Sequence, residues 1–181
     1  DLTLGEYRFI STLSGIASNA DLRHVVINGL PTSGMPAFQV LSDRQVDSLV
    51  AVLDHFWKGR PAAGPRIALP PMPQATPALA AAGKQLYAEN CAACHGDAGA
   101  GDGPAADAIE DFPGHKLPPA NLAAGNVKAG VAPEQLYFRI AAGIPAGEAM
   151  LMPPFSHLSP EEIWSIVIFL RLLFVDLLNA A

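Results

Sequence analysis

Two cysteines and a histidine lie within five residues of this chain, in the order Cys91-Ala92-Ala93-Cys94-His95. This C-x-x-C-H spacing is the attachment sequence for a c-type haem, in which each thiol forms a thioether with one porphyrin vinyl group. The adjacent imidazole then binds the iron as an axial ligand. Because the chain has two cysteines in all, this use leaves none for a disulfide.

Two other uses of the motif are less consistent with its residues. A thioredoxin-like redox pair has no need of the histidine that follows, and a zinc site would need two more soft ligands nearby. We therefore interpret Cys91 and Cys94 as haem attachment residues and His95 as the proximal iron ligand.

The composition favours a globular protein that does not bind nucleic acid. The 181 residues suffice for one medium domain or two small ones, and 50% of them are hydrophobic against 15% charged. The net charge of −6 argues against nucleic acid and favours redox partners with a basic docking surface. Asp1 is not preceded by a basic and then apolar leader, so we expect that an export signal has been removed or omitted.

The most apolar segment, residues 163–178, raises the question of a membrane anchor. It is shorter than the ~20 residues that span a bilayer, and Arg171 and Asp176 interrupt it. We interpret it as a core helix whose outer face meets the other half of the chain or a partner, so that membrane contact occurs only through a partner.

An internal repeat divides the chain into two unequal halves. Residues 22–31 resemble residues 136–145, and each copy ends in Gly-x-Pro. Met35-Pro-Ala-Phe and Leu41-Ser then match Met152-Pro-Pro-Phe and Leu158-Ser. Such self-similarity indicates that one structural unit occurs twice.

Helix signals follow the same repeat. Ser42 with Gln45, and Ser159 with Glu162, form the capping pattern that begins a helix. Thr76-Pro77 is another start signal, since proline suits the first helical position. We predict five helices, at residues 21–28, 43–57, 77–90, 133–142 and 160–178. Proline-rich residues 61–75 form a semi-rigid linker between the copies.

Residues 76–181 resemble the class I c-type cytochromes. The resemblance rests on the helix with Gly83 and Tyr87, on C-x-x-C-H-Gly and Gly-Asp-Gly-Pro, and on Pro-x-Asn-Leu at 119–122 and Met-Pro-Pro-Phe. It implies an all-α cytochrome c fold in which several helices wrap one haem. Gly83 would allow the first and last helices to cross at close range.

The resemblance also implies the sixth iron ligand. It should be Met152, and Met150 is the competitor; Met35 favours Met152, because it aligns with Met152 and has no second methionine beside it. Pro119 and Asn121 are expected to line the haem. Tyr137, Arg139, Lys116 and Trp164 are candidates for the propionates.

Residues 1–60 match only the later part of such a domain. They contain a Met-Pro-x-Phe and the helix after it, without a C-x-x-C-H. We expect the corresponding motif upstream of Asp1, which would make the protein a di-haem cytochrome. Met35 would then bind the second haem; the alternative is that it sits in a partly collapsed core.

These features predict an exported, periplasmic bacterial electron carrier rather than an enzyme. It would be a shuttle, or the cytochrome subunit of a respiratory oxidoreductase complex, with one protein as electron donor and another as acceptor. Two alternatives stay open. One is a haem enzyme with a labile sixth ligand, such as a peroxidase or sulfur-compound oxidoreductase. The other is a docking subunit.

Overall fold

The protein is mostly helical in a computed structural model that describes residues 2–3, 5, 7–110, 114–146 and 149–180. Its α-helices are α1 (Asn19–Asn28), α2 (Asp43–Phe56), α3 (Pro77–Asn90), α4 (Ala92–His95), α5 (Pro133–Ala142) and α6 (Pro160–Ala180). Short 3₁₀ turns lie at Pro31–Ser33 and Ala106–Ala108. The predicted helical fold class is therefore confirmed.

A small antiparallel ribbon is the one departure from the predicted all-α architecture. Strands β1 (Ile144–Ala146) and β2 (Ala149–Met152) pair, with Ile144 opposite Met152. The sequence does not predict this ribbon, because Gly-x-Pro and its neighbours carry no alternating apolar pattern. The ribbon holds Met152 beside the end of α5.

Helix α1 begins earlier than predicted because Ser18 and Asp21 form a capping box. The backbone N–H of Ser18 donates to the Asp21 carboxylate at 2.8 Å, and the N–H of Asp21 donates to the Ser18 hydroxyl at 3.2 Å. The predicted start, Asp21, is the third residue of the helix and not its first. The other four predicted helices agree with the structure to within two residues at each end.

The repeat recurs in the backbone around two glycines. Gly29 ends α1 with φ 66° and ψ −169°, and Gly143 ends α5 with φ 71° and ψ −164°. A side chain on Gly29 would meet the Met35 carbonyl oxygen at 2.6 Å, and one on Gly143 would overlap that of Met152. Both glycines are thus needed where a methionine loop folds back onto a helix end.

Matching hydrogen bonds continue the repeat beyond the glycines. The N–H of Phe38 donates to the Val26 carbonyl at 3.3 Å, and that of Phe155 donates to the Ile140 carbonyl at 2.9 Å. A capping box precedes α2 in the first copy, with the Ser42 N–H donating to the Gln45 amide oxygen at 2.9 Å. The two halves therefore share a helix–loop–helix unit.

The C-x-x-C-H motif directly follows α3, which crosses α6 at close range. A Cβ on Gly83 would lie 2.5 Å from the carbonyl carbon of Ser165, so only glycine allows this approach. Tyr87 is one turn further along α3, and its ring centroid is 5.3 Å from that of Phe169. The expected role of Gly83 in a close helix crossing matches this geometry.

The first half has a core of its own that reaches the second half. Ile10, Ala17, Leu22 and Val50 form this cluster together with Ala142 at the end of α5. Several apolar side chains of the same half are exposed instead, among them Val40, Leu49, Val52 and Phe56. These exposed side chains lie on α2 or just before it.

The proline-rich segment lies against both halves. Thr12 and Arg66 form an isolated antiparallel bridge, and Ile67 packs on both apolar cores. The Trp164 indole N–H donates to the Pro70 carbonyl at 3.1 Å. Trp164 is buried and is therefore a core residue that anchors this segment. Within the described residues, no helix has the length and apolar character to cross a membrane.

Candidate haem-binding site

An apolar cavity lies between α3, α5, α6 and the loop of residues 117–129. Cys91, Cys94 and His95 line one side of it, and Met152 and Phe155 line another. The structure thus brings the three motif residues and the predicted sixth ligand to one cavity. Leu136, Ile140 and Ile166 supply much of the apolar wall between them.

The C-x-x-C-H sequence is held as one helical turn at the end of α3. The N–H of Cys91 donates to the Tyr87 carbonyl at 2.8 Å, and the N–H of His95 donates to the Cys91 carbonyl at 2.9 Å. This turn, α4, places both cysteines and the histidine on the cavity wall. The spacing of the motif therefore has a local cause in helical geometry.

The glycine-rich loop after His95 folds back over the motif. The N–H of Gly101 donates to the His95 carbonyl at 2.8 Å, and the N–H of Ala105 donates to the Ala93 carbonyl at 2.8 Å. Gly96 has φ 77°, and a Cβ there would overlap the Asp102 carboxylate. The buried Tyr87 hydroxyl donates to the Gly96 carbonyl at 2.7 Å. These bonds fix the backbone on both sides of His95.

The imidazole of His95 is oriented by one backbone carbonyl. Its Nδ1 lies 3.1 Å from the Ala120 carbonyl oxygen, which can accept a hydrogen bond only if Nδ1 carries the proton. That tautomer leaves the Nε2 lone pair for a metal. Burial lowers the pKa of His95, while the bond to Ala120 opposes this shift. At neutral pH the ring is thus neutral, which is the form that ligates iron.

The two cysteines differ in exposure. Cys91 is buried and Cys94 is half-buried. Burial, with a smaller contribution from Cys94, raises the pKa of the Cys91 thiol to about 12. A free Cys91 would therefore be a protonated, weakly nucleophilic thiol at neutral pH, which does not suit a thiol–disulfide redox pair.

The structure separates the two candidate methionines. Met152 lines the cavity and packs against the main apolar core. Met150 is 50% exposed and is not among the residues that line the cavity. Between these two side chains, the geometry favours Met152 as an iron ligand.

Two residues predicted to contact the haem, Asn121 and Tyr137, are not among the residues that line the cavity. The Asn121 side chain accepts from the Ala124 N–H at 2.8 Å and thus stabilises its own turn. Tyr137 is buried against Trp164, with ring centroids 4.7 Å apart, and does not line the cavity. Pro119 does line it. Lys116 bonds the Asp107 carbonyl and pairs with Glu110 instead.

The first half contributes residues to the cavity that the sequence does not predict. Arg8 and Phe9 line the cavity although they are about 80 residues before the motif. Nothing in their local sequence signals this contact, because it arises from the packing of one half on the other.

The charges along the cavity fit a haem. Apart from His95, the ionisable side chains with a charge that line the cavity in the described part of the chain are Arg8, Lys128 and Arg139. None of its described lining residues is a carboxylate. The buried Nε of Arg139 has no hydrogen-bond partner. An apolar cavity with cationic residues in its lining suits a flat apolar macrocycle that carries two propionates. The donor set of two thiols, one imidazole and one thioether also suits haem c.

Comparisons with known proteins give a family match and a structural match. The family model for cytochrome c oxidase, cbb3-type, subunit III matches residues 78–170. A chain of the reducing HAO-like protein complex of Kuenenia stuttgartiensis is similar in structure, with a TM-score of 0.85 and 30% sequence identity. The alignment covers 95% of this chain and 80% of that one. No curated protein sequence matches the chain.

The matched residues include the C-x-x-C-H motif, α3, α5, the Met152 loop and half of α6. Members of this family carry covalently bound haem c and transfer electrons through it. The chain therefore belongs to the class I c-type cytochromes, in the family of the cbb3-type cytochrome c oxidase subunit III domain.

Proposed function

We propose that this chain transfers single electrons through a haem c attached at Cys91 and Cys94 and ligated by His95 and Met152. The observation that carries this proposal is the position of His95 and Met152 on the wall of the same apolar cavity. The haem supplies a reversible Fe(III)/Fe(II) couple, and a methionine ligand favours its reduced form.

The chain's own residues keep this site rigid and largely dry. The bonds of His95 to Ala120 and of Tyr87 to Gly96 orient the proximal side. On the opposite side, the pairing of Ile144 with Met152 holds the methionine loop. Groups fixed in this way change little when the iron changes charge, which keeps the barrier to electron transfer low.

The rival hypothesis is a haem enzyme whose sixth position is open. The oxidised protein should show the near-infrared absorbance band of Met–Fe(III) ligation and bind cyanide slowly. Met152→Ala should abolish the band and accelerate cyanide binding, whereas Met150→Ala, the matched control, should change neither. A wild-type protein without the band that binds cyanide rapidly would support the enzyme instead.

We also propose that residues 1–60 are part of a second cytochrome domain, that 61–75 link the two, and that Met35 binds a second haem. The backbone equivalence of Met35 and Met152 supports this. Val52 of α2 is 46% exposed, whereas Phe169, its counterpart in α6, is 9% exposed. In the second half α3 covers that face of α6, where the Phe169 ring packs on Tyr87, and a matching helix with a C-x-x-C-H motif would cover α2.

Mass spectrometry of the natively purified protein tests the second haem. We expect a polypeptide with a further C-x-x-C-H segment before residue 1 and two haem masses. One haem on a mature chain that begins at Asp1 would refute the second site while leaving the first intact.

We further propose that the protein works outside the cytoplasmic membrane with an oxidoreductase subunit. Covalent haem attachment takes place after export, and the similar K. stuttgartiensis chain is part of a protein complex. Gel filtration of a native periplasmic extract should place the haem protein in a larger species with an oxidoreductase. Elution as a monomer at all salt concentrations would favour a free shuttle, and a partnered form without haem reduction would favour a docking subunit.

A further inference from the structure

Arg139 is a buried cation between the two halves of the molecule. It lies on α5, has 6% of its surface exposed, and lines the cavity on the same helix face as Leu136 and Ile140. Its Nη1 donates to the Arg8 carbonyl at 2.8 Å and its Nη2 to the Ile10 carbonyl at 3.4 Å. The guanidinium also lies 4.8 Å from the centroid of the Phe9 ring. Arg139 therefore ties the segment of residues 8–10 to α5.

The guanidinium lacks an anionic partner among the described residues. Its Nε is buried and makes no hydrogen bond. Burial lowers the pKa of Arg139 to about 10, which reflects the cost of a charge removed from water without a paired carboxylate. A planar guanidinium can bind a carboxylate through several of its N–H groups.

Asp21 is the carboxylate of the first half that acts electrostatically on Arg139, but it caps α1. One of its oxygens accepts from the N–H and from the hydroxyl of Ser18, both at 2.8 Å. Asp21 raises the pKa of Arg139 only from a distance, and no ion pair joins the two. The Nε–H of Arg139 therefore has no acceptor among the described residues, and a bound anion would supply one.

We propose that Arg139 binds a haem propionate through Nε while its Nη groups hold residues 8–10 against the cavity. This inference rests on the haem site proposed above. Arg139 would then contact both the haem and the first half, and so connect the packing of the two halves to the haem. Its positive charge would also favour the reduced iron, because Fe(II) haem carries one positive charge fewer than Fe(III) haem.

The reduction potential of the holoprotein tests the charge effect. Arg139→Gln should shift the Fe(III)/Fe(II) equilibrium roughly tenfold towards Fe(III), which is about 59 mV for one electron. Arg139→Lys keeps the charge and should restore most of this shift. Arg23→Gln is the matched control, because Arg23 is a surface cation that pairs with Asp43 at 2.6 Å and with Asp47. It should leave the potential unchanged, since surface charges are screened by salt.

A crystal structure of the wild-type holoprotein tests the contact directly, even if Arg139→Gln fails to fold. Nε should lie within about 3.2 Å of a propionate oxygen. An Nε that bonds only water, or a potential that Arg139→Gln leaves unchanged, would overturn the inference. In either case the covalent haem and the near-infrared band would show that the proposed electron-transfer site itself still stands; loss of both in the wild type would instead reject the site.

Discussion

Gly143→Ala is expected to displace the Met152 loop. Gly143 has φ 71° and ψ −164°, a region of backbone space that is essentially restricted to glycine. An added Cβ would overlap the Met152 carbonyl oxygen and lie 2.8 Å from the Pro154 nitrogen and 2.9 Å from the Pro153 carbonyl carbon. All three obstacles are backbone atoms, so no side-chain rotation relieves them.

The magnitude follows from two costs. The strained dihedral angles cost about 1–3 kcal/mol, and the forced shift of the loop costs about 1–3 kcal/mol more. The second cost falls on the residues that hold Met152 in the cavity. The variant should therefore lose about 2–6 kcal/mol of unfolding free energy and much of its Met–Fe(III) near-infrared band, with faster cyanide binding.

Gly125→Ala is the matched control. Gly125 also has a positive φ, of 66°, but a Cβ there would meet nothing within 4 Å. This variant should lose about 1–2 kcal/mol from the backbone alone and keep the band. Denaturant titration and absorbance spectroscopy of the three holoproteins provide the comparison. If Gly143→Ala kept the band intensity and the cyanide rate of Gly125→Ala, the proposed link between Gly143 and methionine ligation would be wrong.

Three further perturbations test the frame around the site. Gly83→Ala should lower the unfolding free energy by about 1–2 kcal/mol, because its Cβ would lie 2.5 Å from the Ser165 carbonyl carbon. Without that contact, the same change in a helix would stabilise the protein by about 1 kcal/mol. Lys84→Ala, at an exposed position of the same helix, serves as the control. The Ser159 N–H and hydroxyl lower the pKa of Glu162, so this stabilisation is present at neutral pH and is lost as the pH falls below the ordinary Glu value of 4.5. Glu162→Gln should flatten that part of a plot of denaturation midpoint against pH, and an unchanged slope would argue against the capping box. Trp164→Phe should cost about 1–2 kcal/mol in denaturant titration because it leaves the Pro70 carbonyl without its donor, and a stability equal to wild type would mean that the bond contributes nothing.

Local signals in the sequence predicted the helices and the proximal half of the site. The capping residues at Ser42, Thr76 and Ser159 identified helix starts, since capping acts over three or four residues. The C-x-x-C-H motif occupies a single turn, so its side chains necessarily share a face. The repeat predicted which methionine lines the cavity, because Met35 and Met152 occupy equivalent loops.

Contacts between distant parts of the chain were not predictable in the same way. Arg8 and Phe9 reach the cavity only because the first half packs against α5. Asn121 and Tyr137 share the correct region of sequence with cavity residues, but a turn bond and an aromatic contact direct their side chains elsewhere. The β1–β2 ribbon likewise depends on how Met152 folds back beside Ile144. Sequence spacing does not encode these orientations.

Iron K-edge X-ray absorption of the oxidised holoprotein tests the central claim most directly, because it identifies the atoms bound to the iron. We expect a sulfur ligand at the second axial position of the haem iron. This ligand should be retained in Met150→Ala and lost in Met152→Ala. A wild-type spectrum without sulfur, or a sulfur ligand that persists in Met152→Ala, would contradict ligation of the iron by His95 and Met152.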